Sequence, residues 1–371
     1  MNPLPVTILT GFLGAGKTTL LNRLLREPAA ASTAVIVNEL GDVSIDHLLV
    51  EQSSEGLIEL SDGCLCCTVR GDLIDTLADL IDRMQTGRIQ PLRRIVIETT
   101  GMADPVPVLQ SLMGHPVLAQ LLSLDGVVTV VDAVNGAATL DRHAESLRQV
   151  AVADRLVLSK AAMAAPGDIA ALKRRLAALN PGAAIVDGDD PAASGAGALF
   201  GLGLWNPSTK TADVARWLGE AAEHDAHHRH DHDHAHHRHD GHAHGVHDDR
   251  VRSFSLVHPD PVPWHTIEMF LDLLRSAQGD RLLRMKGIVE LAESPERPLV
   301  LHGVQKLLHP PARLPVWPAG PRGTRLVLIG FDLDEDYVRR LFGAFTGAPR
   351  VDTPDRAALT DNPLAIPGFR A

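Results

Sequence analysis

Short continuous runs of Val, Ile and Leu punctuate the first half of the chain, and stretches with helical apolar spacing lie between them. Val6–Thr10, Ala34–Val37, Arg94–Glu98, Val127–Val131 and Arg155–Leu158 are of strand length and do not alternate with polar residues. That is the pattern of strands buried on both faces. Lys17–Arg26 sets Leu20, Leu21, Leu24 and Leu25 at helical spacing, and Asp72–Met84 does the same with Leu73, Leu77, Leu80, Ile81 and Met84. Strands alternating with amphipathic helices predict an α/β unit, a parallel sheet with helices on both faces, over residues 1–205.

The texture changes after that. HDAHHRHDHDHAHHRHDGHAHGVH, from residue 224, holds most of the 19 histidines and little that is apolar. It cannot build a core and reads as a flexible linker within 206–250. Beyond it, Val251–Val257, Leu282–Leu291, Leu299–His302 and Arg325–Ile329 read as strands. Trp264–Ser276 and Asp334–Phe345 read as helices, the first with Ile267, Phe270, Leu271 and Leu274 on one face. This order predicts a smaller α+β domain over 251–350 with a mostly antiparallel sheet, then an irregular tail, 351–371.

Composition narrows the function. The chain has 371 residues, 45% of them hydrophobic and 22% charged, with net charge −11. It shows no basic stripe, which argues against nucleic acid as a partner. No run approaches a membrane span, and the first residues do not form a signal peptide. All three cysteines fall within four positions, at Cys64, Cys66 and Cys67. That clustering suits a reducing compartment, so a cytoplasmic location is expected.

Two stretches carry phosphate chemistry. GFLGAGKTT, Gly11 to Thr19, fits G-x-x-x-x-G-K-[ST] between a strand and a helix. Its glycines admit backbone N–H groups to phosphate oxygens, at a helix N-terminus that favours negative charge. Lys17 reaches the β/γ-phosphates, the Thr18 hydroxyl holds Mg²⁺, and Gly14, Ala15, Gly16 and Thr19 supply the cradle. In RIVIETTGMADP, the strand delivers Glu98 to its C-terminal end, where an acidic residue serves the Mg²⁺ shell or the attacking water. Gly101 is placed to donate its N–H to the γ-phosphate, which makes the segment after it a sensor of triphosphate.

The cysteines lie between these two stretches. Thiolates suit Zn²⁺, Co²⁺ or Cu⁺. In an extended loop Cys64 and Cys66 point the same way and share one ion, with Cys67 closing the site after a turn. Glu39, Asp42 and His47 are candidate fourth ligands, Glu39 the favoured one. Buried packing and vicinal-thiol redox chemistry are the alternative readings. The histidine tract is expected to bind divalent metal loosely and to feed the cysteines by raising local concentration, a solvated linker being the alternative reading.

GFLGAGKTTLLN, NELGDVSIDHLLV, DGCLCCTVRGDL, IETTGMADP and VVTVVDAVN, in this order, resemble the CobW-like family of metal-handling P-loop GTPases. The likeness continues through LRMKGIVELAESPERPLVLHGVQ. It implies a GTP- and Mg²⁺-dependent metallochaperone or insertase that loads Zn²⁺ or Co²⁺ into a client metalloprotein. The family's N/T-K-x-D base-reading motif appears here as Ser159, Lys160, Ala161 and Ala162, without its aspartate. Ser159 and Lys160 remain the expected base contacts, and the missing carboxylate predicts weaker selectivity for GTP over ATP. No arginine finger is evident, so basal turnover is expected to be slow. A metal buffer with a vestigial nucleotide site is the alternative function. A homodimer sharing an ion between two cysteine loops is a further expectation.

Overall fold

The computed structural model of the chain describes residues 3–38, 57–59, 69–202, 250–309, 311–317 and 321–347. The first sheet contains β1 (Leu4–Gly11), β2 (Thr33–Asn38), β3 (Leu57–Glu59), β4 (Arg94–Thr99), β5 (Leu122–Asp132), β6 (Arg155–Ser159) and β7 (Ala184–Asp187). Their order is β3-β2-β4-β1-β5-β6-β7, and each neighbouring pair is parallel. The helices that pack on it include α1 (Lys17–Leu25), α2 (Val69–Gln85), α3 (Val106–Gly114), α4 (Gly136–Arg142), α5 (Ala144–Ala151) and α6 (Pro166–Leu179).

Successive strand residues point to opposite faces, and both faces are buried. Val6 and Ile8 of β1, with Ala34 and Ile36 of β2, join a cluster with Leu73, Leu77, Leu109, Leu147 and Val150. Leu9, Val35 and Val37 point the other way, to Leu20, Leu21, Leu24 and Leu199. This is why the strands read as unbroken apolar runs.

The second sheet comprises β8 (Val251–His258), β9 (Leu282–Val289), β10 (Leu299–Val304), β11 (Leu307–Leu308), β12 (Ala312–Arg313) and β13 (Thr324–Phe331). It is antiparallel, ordered β11-β10-β9-β13-β8, with β12 paired to β10. Helices α7 (Trp264–Gln278) and α8 (Glu335–Phe345) cover one face. Ile267, Phe270, Leu274, Val338 and Phe342 meet Phe254, Leu256, Leu326 and Leu328 there. The expected strand to Leu291 stops at Val289, and His302 lies inside β10 rather than at its end.

The opposite face of this sheet packs on the first unit, where Val251, Leu283, Val304 and Ile329 join the cluster of α3 and α5. A buried ionic group pins the contact. Arg284, 2% exposed, donates to the Val152 carbonyl and, at 2.6 Å, to Asp154 Oδ1. Lys286 Nζ donates to the same oxygen, and Asp154 Oδ2 accepts from the Val127 N–H at 2.9 Å. Burial alone would raise the Asp154 carboxyl, but the charges of Arg284 and Lys286 outweigh it and hold the group well below the usual carboxylate range. Buried beside them, His302 is driven well below its ordinary value, first by desolvation and then by Arg284.

Candidate functional site

The phosphate loop leaves β1 through Gly11 and enters α1 at Lys17. Gly11 has φ +141°, and a Cβ there would lie 2.3 Å from the Val130 carbonyl oxygen. Gly16, the residue before the helix, has φ +93°. Both sit in backbone conformations that L side chains rarely adopt, so the motif's glycines are required by the turn. Lys17, 9% exposed, points its ammonium back toward the Phe12 carbonyl at 3.4 Å. Ala15 is buried, and Thr19 follows Thr18 on the first turn of α1.

Glu98 arrives on β4, adjacent to β1, and Leu9 of β1 pairs with it in register. The Thr18 hydroxyl donates to Glu98 Oε1 at 2.8 Å. Two hard oxygen donors thus meet at the mouth of the phosphate loop, a donor set that fits Mg²⁺ and a triphosphate. Next on the strand, Thr99 Oγ1 donates to Thr10 Oγ1 at 2.7 Å and ties β4 to β1.

Gly101 lies directly against the phosphate loop. A Cβ there would sit 2.5 Å from the backbone N of Leu13. The loop that follows is held from α5. Gln149 Nε2 donates to the carbonyls of Gly101 (3.1 Å) and Ala103 (3.0 Å). Arg148 Nη1 donates to Asp104 Oδ2 at 3.1 Å, while Asp104 Oδ1 accepts from the Val106 N–H at the start of α3. The Arg148 guanidinium also lies 5.6 Å from the centre of the Phe331 ring in the second sheet. Gln110 of α3 donates to Gln305 Oε1 at 2.5 Å, a second link to that sheet.

Ser159 and Lys160 lie beside the same loop. Ser159 Oγ donates to the Ala15 carbonyl at 2.6 Å. Lys160, at φ +57°, sends Nζ to the Gly14 carbonyl (2.8 Å) and to Asp132 Oδ2 (2.7 Å). Burial would raise the Asp132 carboxyl, but hydrogen bonds from Lys160, Asn135 and the N–H groups of Val134 and Asn135 hold it below its ordinary value. A cavity of about 230 Å³ lies alongside, lined by Phe12, Gly14, Asp132, Asn135, Gln149 and Lys160.

The structure therefore brings Gly11, Gly14, Ala15, Gly16, Lys17, Thr18, Glu98, Gly101, Ser159 and Lys160 to one end of the parallel sheet. Glu39, Cys64, Cys66, Cys67 and the histidine tract lie outside the described residues. Among the described residues, no group of three or more His, Cys, Asp or Glu side chains is placed to hold a metal. No helix among them is long and apolar enough to cross a membrane. Asp132, Arg148 and Gln149 were not anticipated. The one sequence signal for Asp132 is its position ending the run VVTVV.

A parallel sheet with Gly11–Thr19 at a strand-to-helix turn, and an acidic residue at the end of the adjacent strand, defines a P-loop nucleoside-triphosphate hydrolase. Residues 5–187 match the family profile "CobW/HypB/UreG, nucleotide-binding domain", and residues 251–346 match "Cobalamin synthesis protein cobW C-terminal domain". The chain is 35% identical over 348 residues to the zinc chaperone YjiA of Escherichia coli, covering 92% of this chain and 98% of that one. It is 30% identical to the zinc chaperone CobW of a Sinorhizobium species, covering 91% and 95%. The crystal structure of Zn(II)-bound YjiA GTPase from E. coli superposes with a TM-score of 0.64 at 30% identity, covering 93% and 99%. The chain belongs to the CobW/HypB/UreG family of P-loop GTPases.

Proposed function

We propose that the chain is a GTP-driven zinc chaperone of the cytoplasm, which holds its cargo at Cys64, Cys66 and Cys67 with Glu39 and releases it to a client metalloprotein on hydrolysis. The histidine tract in the 206–250 linker supplies the ion, and Co²⁺ is an alternative cargo.

The observation that carries this reading is topological. The strands β1, β2, β3 and β4 run parallel, so all four end at the same edge of the sheet. Residue 39 follows the end of β2, and the cysteines begin five positions after β3 ends at Glu59. Strands β2 and β3, which precede these residues in the chain, end at the edge where Lys17, Thr18, Glu98 and Gly101 converge. A change at the γ-phosphate therefore acts where the cargo segment is anchored.

Within this reading Lys17 binds the β/γ-phosphates, and the backbone of Gly14–Thr19 cradles them. Thr18 and Glu98 hold the cation and orient water, and the Gly101 N–H contacts the γ-phosphate. Mg²⁺, when bound there, neutralises charge on the transferring phosphoryl. Catalysis is positional and electrostatic, and basal turnover stays below about one per second.

The test is a Zn²⁺ competition titration on the full chain without nucleotide, with Mg²⁺ and a non-hydrolysable GTP analogue, and with Mg²⁺ and GDP. The triphosphate form is expected to bind zinc at least tenfold tighter, about 1.4 kcal/mol of coupling. Equal affinity in all three states refutes the switch.

A further inference from the structure

The base-reading motif lacks its aspartate at Ala162, yet its other members are in place. Ser159 is on the Ala15 carbonyl, and Lys160 spans Gly14 and Asp132. The strand after it, β7, pairs with β6 so that Leu158 faces Asp187. The loop that follows is fixed hard against the end of β6. The Gly188 N–H donates to the Leu158 carbonyl at 2.6 Å, and a Cβ on Gly188 would lie 2.6 Å from that oxygen. From α1, Arg23 Nη1 donates to the Gly188 carbonyl at 2.7 Å. The next residue is Asp189. Its N–H donates to Asp187 Oδ1, and its own Oδ2 accepts from the Ala162 N–H at 3.0 Å. The loop after β7 thus brings a carboxylate to the backbone of Ala162, the residue that lacks one.

We propose that Asp189 is the specificity-determining residue of the nucleotide site, reading the guanine edge in place of the aspartate missing at position 162. This rests on the GTP reading above. Guanine presents N1–H and the 2-amino group side by side, and a carboxylate accepts from both. Adenine presents a lone pair at N1 and is refused. The relocated contact restores guanine selectivity, against the weaker selectivity expected from Ala162 alone. Asp189 is exposed, and its loop is held at the Gly188 backbone by the Arg23 guanidinium and the Leu158 carbonyl, so an isosteric change leaves the fold intact.

The experiment is calorimetric titration of the full chain, with Mg²⁺, by GDP, IDP, XDP and ADP. Inosine lacks the 2-amino group. Wild type is expected to bind IDP 10- to 100-fold more weakly than GDP, as loss of a charge-assisted hydrogen bond gives. Asp189→Asn turns one acceptor into a donor. It should weaken GDP by a similar factor and favour XDP, whose 2-oxygen accepts where guanine donates. Inorganic pyrophosphate affinity, which reports the phosphate loop, should not change. Equal wild-type affinity for GDP and IDP overturns the assignment without any variant, and so does unaltered GDP affinity in Asp189→Asn. Wild-type preference for ADP over GDP overturns the GTP reading itself, an outcome distinct from the other two.

Discussion

Replacing Asp154 by Ala tests the contact between the two sheets most directly. The carboxylate is 10% exposed and faces Arg284, 2% exposed, and Lys286, 15% exposed. Its removal leaves a buried guanidinium without its counter-charge and frees the Val127 N–H of β5. Breaking a buried pair from one side costs about 3–5 kcal/mol, and the orphaned N–H adds about 1 kcal/mol. At roughly 1–2 °C per kcal/mol for a chain of 371 residues, the unfolding midpoint should fall by about 5–10 °C. Arg284→Met leaves Asp154 with Lys286 and the Val127 N–H, so it should cost less than half as much. The double variant Asp154→Ala/Arg284→Met removes both buried charges and should be more stable than Asp154→Ala alone. Urea unfolding of the three variants and wild type measures the cycle. If the double variant loses the sum of the two single losses, the buried pair is not the element that joins the sheets.

Gly101→Ala puts a methyl group within van der Waals overlap of the Leu13 backbone. It should abolish the difference between GTP-analogue and GDP states in the zinc titration while changing GDP affinity less than about threefold. Burial beside Arg284 keeps His302 neutral in the folded chain, whereas the unfolded chain protonates it below pH ~6.5. Stability is therefore present above that pH and falls as the solution is acidified, by up to about 1.4 kcal/mol per pH unit from this group. Urea midpoints between pH 7.5 and 5 should show a smaller slope in His302→Phe than in wild type. Deleting residues 224–247 should slow zinc loading of the cysteines at limiting metal, read by stopped-flow chelator competition, and leave the nucleotide coupling unchanged. Lys17→Ala should lower the hydrolysis rate at least 100-fold without moving the nucleotide-free unfolding midpoint by more than about 3 °C.

The phosphate loop was legible because its chemistry is local. Spacing alone puts Gly11, Gly16, Lys17 and Thr18 on one turn, and a strand-sized run precedes them. Strands β1, β2, β4 and β6 and the Val127–Val131 half of β5 were legible because burial on both faces leaves near-continuous apolar runs, whereas Ser123, Asp125 and Gly126 hid the first half of β5. Strand β7, half-exposed along AIVD, and β3, three residues long, carry no such pattern. The strand read as Leu299–His302 continues through Gly303, which pairs with Met285 on one side and Leu308 on the other, so β10 runs to Val304. The roles of Asp189, Arg148 and Gln149 rest on partners tens of residues away, set by strand order rather than by neighbours in the chain. A search along the sequence from Ala162 for a replacement carboxylate meets Asp168, at the start of α6. The fold instead brings the Asp189 carboxylate to the Ala162 backbone N–H from across the β6–β7 pair.

Arg148 holds Asp104 with one face of its reach and lies over Phe331 with the other, while Gln149, the next residue, secures the carbonyls of Gly101 and Ala103. One turn of α5 thus belongs at once to the loop against the phosphates and to the second sheet. A protein docking on that sheet and displacing Phe331 would change the energy of the loop, and with it the affinity for nucleotide. Linkage makes the relation reciprocal, so the factor by which such a protein changes nucleotide binding equals the factor by which nucleotide changes its own. The second sheet is thereby placed as a thermodynamic input to the nucleotide site, coupled to it through one turn of α5.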